Sequence, residues 1–127
     1  MTLVNSDVPL LSTLESYLKL TSTREQLIST NMANVDTPGY HTRDINFEGE
    51  LQRAISNSVS ESPGAQLASN TPSVEDVPGL SERPDGNNVS LDREGLLMSE
   101  TQLQYQIGVQ LVKHHFHNLL SAINGGS

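Results

Sequence analysis

The chain has 127 residues, of which 35% are hydrophobic and 4% aromatic, so it can bury one modest core and form one domain at most. Its formal net charge of −8, with Lys and Arg together numbering 7, excludes the basic surface on which nucleic-acid binding depends. The absence of cysteine excludes disulfides and thiolate redox chemistry.

The N-terminal stretch does not resemble a cleavable secretion signal, because it lacks a basic start and because Asp7 and Glu15 interrupt its apolar positions. No later segment reaches the roughly 18 consecutive apolar residues that a membrane-spanning helix needs. We therefore expect no direct membrane insertion, and we expect contacts with other proteins to set the location of the chain.

A first helix is predicted over residues 9–36. Apolar residues recur there at alternating spacings of three and four, with Thr21 and Glu25 as polar members of the same stripe. The apolar members of this predicted helix seam are Leu11, Leu14, Leu18, Ile28, Met32 and Val35. The helix therefore offers one face to a partner, with a polar gap near the middle of that face.

A turn is predicted directly after this helix. The residue before a proline is disfavoured in helical conformation, and Thr37 precedes Pro38, so the helix must end by about Asp36. Pro38 and Gly39 suit the two central positions of a type II turn. Residues 37–56 are predicted to form this turn and a following extended segment.

Residues 57–89 are predicted to form an irregular or disordered loop. Four prolines lie there among Ser, Asn, Gly and acidic residues, and the segment has no aromatic residue. Its apolar area is too small to offset the roughly 1–2 kcal/mol per residue that ordering the backbone costs.

A second long helix is predicted over residues 90–124. Ser90 can accept hydrogen bonds from the first free N–H groups, while Asp92 and Glu94 suit the positive end of the helix dipole. Gly125 can adopt the left-handed conformation that ends a helix. The predicted seam of this helix consists of Tyr105, Val109, Val112, Phe116, Leu119 and Ile123.

Together these elements predict a mainly α fold. Its N- and C-terminal amphipathic helices pair as a coiled-coil-like layer, and a long irregular middle segment joins them. About a dozen seam side chains, at ~1.5–3 kcal/mol each, can hold a helix pair but are few against the entropy of ordering the whole chain. We expect the monomer to be marginally stable and assembly to stabilise it.

The run KHHFH places three histidines close together: His114, His115 and His117. Only His114 and His117 share a helix face, and a metal ion would need further ligands from elsewhere. We expect no metal, no cofactor and no catalytic residue, and hence no enzyme. Two alternative functions stay open: a soluble acidic coiled-coil adaptor, and a small metal-binding enzyme that uses these histidines.

Two asparagines, Asn31 and Asn34, lie near the predicted end of the first helix. Free backbone carbonyls at a helix end need donors, so residue chemistry alone indicates ordinary C-cap residues. The longer stretch around them, STNMANVDTPGYHTRDINF, resembles the N-terminal signature of the bacterial flagellar rod and hook protein family, commonly A-N-N-[IL]-A-N-x-[ND]-T-P-G-[YF]. We call residues 29–40 the signature.

Within that family, the runs RDINFEGEL and NNVSLDREGLLMSETQLQYQ are most similar to the proximal rod protein. The match covers both ends of the chain and leaves residues 57–86 without a counterpart. The positions that carry the signature over to this chain are Asn31, Ala33, Asn34, Thr37, Pro38, Gly39 and Tyr40.

The resemblance implies a structural subunit of the basal-body rod, assembled into the axial tube that transmits torque and conducts exported subunits. It implies export through the flagellum-specific type III apparatus without a cleavable signal peptide, and a location in the rod that spans the periplasm. The implied partners are other copies of the chain, other flagellar rod proteins, the MS-ring/rod adaptor and export-gate proteins. It implies neither catalysis nor nucleic-acid binding.

Overall fold

A computed structural model describes residues 2–59 and 71–125, with side chains over 10–58 and 71–125. The elements in chain order are α1 (Thr2–Ala33), β1 (Arg43–Ile45), α2 (Phe47–Val59), β2 (Val74–Asp76) and α3 (Leu91–Gly125). Helices α1 and α3 run antiparallel and pack together, which confirms the mainly α fold with paired terminal helices. Within the two described ranges, no helix is long and apolar enough to cross a membrane.

Helix α1 starts earlier than the sequence pattern predicts. It begins at Thr2 rather than at residue 9 and continues past Pro9. It ends at Ala33, before the limit that Thr37 and Pro38 impose, and a turn follows.

Helix α2 corrects the prediction of an extended segment over residues 37–56. Asn46 begins this helix, because its Oδ1 accepts a hydrogen bond from Gly49 N at 3.2 Å. Phe47 then packs edge-on against the ring of Tyr17 in α1, with the ring centroids 5.6 Å apart. A local cap and a contact with α1 therefore make this segment helical.

The predicted loop over residues 57–89 is ordered where the structure describes it. Residues 60–70 lie outside the described residues. Beyond them, β2 pairs antiparallel with β1, and Val74 lies opposite Ile45. Residues 77–89 are irregular, as predicted, but hydrogen bonds to the rest of the chain hold them. Hydropathy does not register such bonds, so the sequence pattern predicted the irregular backbone here but not the contacts that hold it.

The apolar core is small and is accompanied by buried polar groups. The buried hydrophobic side chains are Leu14, Leu20, Ile28, Ile45 and Val89. The buried polar side chains are Thr21, Asn31, Thr42, Asn87, Asn88, Glu94 and Thr101. Because an unpaired buried polar group destabilises a fold by about 1–3 kcal/mol, this protein depends on how those groups are paired.

The face of α3 that packs on α1 differs from the predicted seam. The buried residues of α3 are seven apart: Glu94, Thr101 and Gly108. Three of the predicted seam residues are instead exposed: Tyr105 (42%), Phe116 (49%) and Ile123 (71%). Gly108 permits the close packing, since a Cβ there would lie 2.7 Å from Cδ2 of Leu18. The seam prediction is therefore wrong for these three residues.

The rest of the predicted seam is buried or partly buried. Leu14 and Ile28 are buried in the core. Partly buried are Leu11, Leu18, Met32, Val35, Val109, Val112 and Leu119. The error on α3 arises because a glutamate, a threonine and a glycine occupy the packed positions, and an apolar pattern cannot mark them.

Candidate functional site

The signature ends in a tight turn that leads the chain away from α1. Tyr40 N donates to the carbonyl of Thr37 at 3.2 Å, and Gly39 has a φ of +75°. These are the features of the type II turn that Pro38 and Gly39 predict. A Cβ at Gly39 would meet nothing within 4 Å, so the turn needs glycine for its dihedral angle and not for space.

Asn34 closes the C-terminal end of α1. Its Nδ2 donates to the carbonyl of Thr30 at 2.7 Å, and its Oδ1 accepts from Oγ1 of Thr37 at 3.1 Å. The backbone N–H of Thr37 also donates to the carbonyl of Asn34 at 3.0 Å. Asn34 therefore has the C-cap role that its residue chemistry indicates.

Asn31 has a different role, because its side chain is 1% exposed and lies at a junction of four elements. Its Nδ2 donates to the carbonyl of Arg43 at 2.9 Å and to Oε2 of Glu94 at 3.1 Å. Its Oδ1 accepts from the hydroxyl of Tyr40 at 2.9 Å and from Arg43 N at 3.1 Å. The amide thus uses both donors and both acceptor sites to join α1, the signature turn, β1 and α3.

Residues 83–89 fold against the signature turn, and we call them the clasp. The buried Asn87 donates from Nδ2 to the carbonyls of Asn34 and Thr37, at 2.9 and 2.8 Å. Its Oδ1 accepts from Nη2 of Arg83 at 2.7 Å. One side chain from the clasp therefore donates to two carbonyls of the turn that follows α1.

Two glycines bring the clasp close to the signature turn. Gly39 N donates to the carbonyl of Asp85 at 2.9 Å. A Cβ at Gly86, whose φ is +84°, would lie 3.4 Å from Cα of Gly39. Further along, Oδ1 of Asn88 accepts from Thr42 N at 2.6 Å. The clasp therefore contacts the chain from the turn almost to the start of β1.

The first turn of α3 follows the clasp directly. Ser90 caps this helix as predicted, since its Oγ accepts from Arg93 N at 3.3 Å. Glu94 does more than complement the helix dipole, because its side chain is wholly buried. One carboxylate oxygen accepts from Asn31, and the other accepts from Nη1 of Arg93 at 2.7 Å.

Burial raises the pKa of the Tyr40 phenol above its ordinary value. The positive charge of Arg43 lowers this pKa, and the negative charges of Glu94 and Asp76 raise it. The phenol is therefore protonated at neutral pH, as its hydrogen bond to Asn31 requires. Burial also raises the pKa of the Tyr17 phenol.

An ion pair holds β1 beside this junction. The guanidinium of Arg24 in α1 donates to both carboxylate oxygens of Asp44, at 3.2 and 3.0 Å. Both side chains are largely shielded from solvent, so the bidentate pair is stronger than a surface ion pair. The junction is thus fixed to α1 on two sides.

The structure brings together five of the seven predicted signature residues: Asn31, Asn34, Thr37, Gly39 and Tyr40. The other two, Ala33 and Pro38, are exposed. Sequence reasoning missed the contributions of Arg83, Asn87 and Asn88, and missed the burial of Glu94. The run RPDGNN could have indicated the clasp, because it is a turn pattern placed directly before a helix cap.

The histidines do not form a cluster with other ligating groups. His114 and His117 are exposed on α3, and His115 is partly buried, with its ring 6.2 Å from that of Phe116. Over residues 2–59 and 71–125, no group of three or more His, Cys, Asp or Glu side chains could hold a metal ion.

The fold is thus a pair of long antiparallel terminal helices, closed at one end by a polar junction. Comparison with known proteins gives the family. The chain is 30% identical over 126 residues to the flagellar basal body rod protein FlgB of Salmonella typhimurium strain LT2. The aligned region covers 89% of this chain and 91% of that protein.

Two further relatives carry the same name. The chain is 34% identical over 113 residues to FlgB of Cereibacter sphaeroides, with 85% of this chain and 88% of that protein covered. It is 28% identical over 130 residues to FlgB of Escherichia coli K12, with 89% of this chain and 91% of that protein covered. No protein-family model matches the chain. The chain belongs to the FlgB family of flagellar basal body rod proteins.

Proposed function

We propose that this protein is a structural subunit of the proximal rod of the flagellar basal body. In this role it assembles into the axial tube that transmits torque and conducts exported subunits. The observation that carries the proposal is the match to FlgB proteins over 89% of the chain. Neither the acidic adaptor nor the histidine enzyme has support from these relatives.

The surface of α3 supports assembly. Exposed apolar side chains lie on α3 both close to the face that packs on α1 and on the opposite side of the helix. One exposed group consists of Leu96, Leu103, Ile107 and Leu111, and the other consists of Tyr105, Phe116, Leu120 and Ile123. A helix that is apolar on several faces is suited to burial on several faces, and such patches mark protein contacts. Other copies of this chain and other rod proteins are the partners that this surface fits.

The charge distribution also supports close packing of α3. All 15 acidic residues of the chain precede residue 101, and from there to the C-terminus Lys113 is the single Lys or Arg. Like charges at close range oppose association, and this half of α3 carries almost none. Helices of this kind can approach one another in an assembly although the whole chain has a net charge of −8.

The finer features of the function follow the family resemblance. They are a location in the rod across the periplasm, export without a cleavable signal, and contact with the MS-ring/rod adaptor and the export gate. The protein acts as a structural element with no catalytic step and no cofactor.

The test is complementation of a strain from which the gene has been deleted. The intact chain should restore swimming and co-purify with basal bodies. The double variant Leu103→Asp/Ile107→Asp should fold but be missing from them, because two charges replace apolar contacts. The matched control Gln52→Asp/Ser56→Asp places the same charges, with the same spacing, at exposed polar positions of α2 and should be incorporated. Basal bodies that form normally without the gene would refute the proposal.

A further inference from the structure

The contact between Asn31 and Glu94 has a defined direction. Asn31 Nδ2 faces a carboxylate oxygen of Glu94, while Asn31 Oδ1 faces two donors, the hydroxyl of Tyr40 and the N–H of Arg43. A rotated amide would place Oδ1 against the carboxylate and Nδ2 against those two donors. Oδ1 would then face the carboxylate of Glu94 and the carbonyl of Arg43, and Nδ2 would face the N–H of Arg43, so these contacts would be repulsive, although the Tyr40 hydroxyl could turn to accept. The observed orientation is therefore strongly favoured, and before Arg43 is in place Glu94 is the group that favours it.

We propose that Glu94 is a positioning residue that sets the orientation of the Asn31 amide, and that this pair is a latch coupling the docking of α3 to the ordering of residues 40–43. Without Glu94, rotating the Asn31 amide costs less free energy, because its Oδ1 no longer meets a negative charge. With Glu94 docked, the acceptor for Tyr40 and Arg43 is fixed. This inference concerns the folding of the single chain and does not rest on the proposed rod function.

The surroundings of Glu94 suit such a latch. Its carboxylate is wholly buried, and its charge is balanced by Nη1 of Arg93 and by the positive end of α3. Its own N–H donates to the carbonyl of Ser90 at 2.9 Å, within the capped first turn. The position of the carboxylate is therefore tied to the formation of that turn. The signature segment can order around Asn31 when the first turn of α3 has formed and docked.

The test exchanges the hydrogen-bond donor and acceptor between positions 31 and 94. Asn31→Asp places two carboxylates in contact and removes the donor to Glu94. Glu94→Gln removes the charge but keeps the shape. In the double variant Asn31→Asp/Glu94→Gln, the new amide can donate to the new carboxylate, which still accepts from the Tyr40 hydroxyl and the Arg43 N–H. The donor to the Arg43 carbonyl is lost in both variants that carry Asn31→Asp, so comparing those two variants isolates the contact between positions 31 and 94. A side chain that only fills space would give no such compensation.

The readout is hydrogen exchange of the Arg43 amide, which donates to Asn31 in the native structure. We expect exchange to accelerate by about tenfold or more in Asn31→Asp, as the loss of a buried hydrogen bond implies. The double variant should recover part of the protection that Asn31→Asp loses. Glu100→Gln, an exposed glutamate on the same helix, is the matched control and should leave the rate unchanged.

Two outcomes overturn the latch. One is a double variant that exchanges as fast as Asn31→Asp while Glu94→Gln alone remains folded. The other is native protection of Arg43 in Asn31→Asp. If Asn31→Asp does not fold at all, circular dichroism of the double variant decides. A refolded double variant supports the latch, and an unfolded one beside a folded Glu94→Gln protein contradicts it.

Discussion

Replacing Gly39 with alanine tests whether the signature turn needs a left-handed residue. The φ of Gly39 is +75°, and a Cβ there would meet no atom within 4 Å, so the cost is backbone strain without a clash. Such strain amounts to about 1–2 kcal/mol for an L-residue. Relief by rotating the backbone would move the N–H that donates to Asp85 in the clasp. We therefore expect Gly39→Ala to lower the free energy of unfolding by at least that amount.

Gly95 in α3 supplies a matched control, because a Cβ there also meets nothing within 4 Å but its backbone is helical. Gly95→Ala should raise the free energy of unfolding by roughly 0.8–1 kcal/mol, the difference in helix propensity. The same chemical change should thus have opposite effects at the two sites. Urea unfolding followed by circular dichroism, at one fixed protein concentration, measures both. A Gly39→Ala protein as stable as the unmodified chain would refute the reasoning.

Three further predictions follow from the junction and from α3. Asn87→Ala removes the side-chain donor to the carbonyls of Asn34 and Thr37 and removes the acceptor for the buried N–H of Val89. Urea unfolding should therefore show a loss of about 2 kcal/mol or more in the free energy of unfolding, against under ~0.5 kcal/mol for the exposed control Asn118→Ala. Burial raises the pKa of Tyr40, so the folded state favours the neutral phenol; this group should therefore make the free energy of unfolding independent of pH below 10.0, the ordinary phenol pKa, and lower it above that pH. In thermal melts, Tyr40→Phe should lose less stability at alkaline pH than the unmodified chain does. An equal alkaline loss in both proteins would contradict the assignment. Replacing His114, His115 and His117 together with Gln should leave soft-agar swimming intact, and calorimetry of the unmodified chain should show no tight zinc binding; micromolar affinity together with loss of swimming in the variant would contradict this.

Local sequence rules predicted the end of α1 and the start of α3 better than they predicted the start of α1 or the packing between the two helices. The turn at residues 37–40 and the Ser90 cap depend on groups within three or four positions of each other, so the residue types are sufficient to identify them. Helix α2 was missed because its helical state depends on the Asn46 cap together with the contact between Phe47 and Tyr17. That contact joins residues far apart in sequence.

The predicted helix seam was correct for α1 and partly wrong for α3. Apolar spacing identified the packed face of α1, where Leu14 and Ile28 are buried. It placed Phe116 in the seam of α3, whereas the packed positions there include Thr101 and Gly108. Hydrophobic periodicity reports where apolar side chains recur, and it cannot distinguish a face kept for the same chain from one left for other chains.

The sequence by itself determined the two terminal helices, the signature turn and the cap of α3, because periodicity and backbone restriction act over a few residues. Only the tertiary structure decided what Asn31 and Asn87 do. Asn31 contacts Glu94, which lies 63 positions away, and Asn87 contacts Asn34, which lies 53 positions away. Buried polar pairs have no periodic pattern and depend on the direction of each hydrogen bond, so they become identifiable when α3 and the clasp pack against the end of α1.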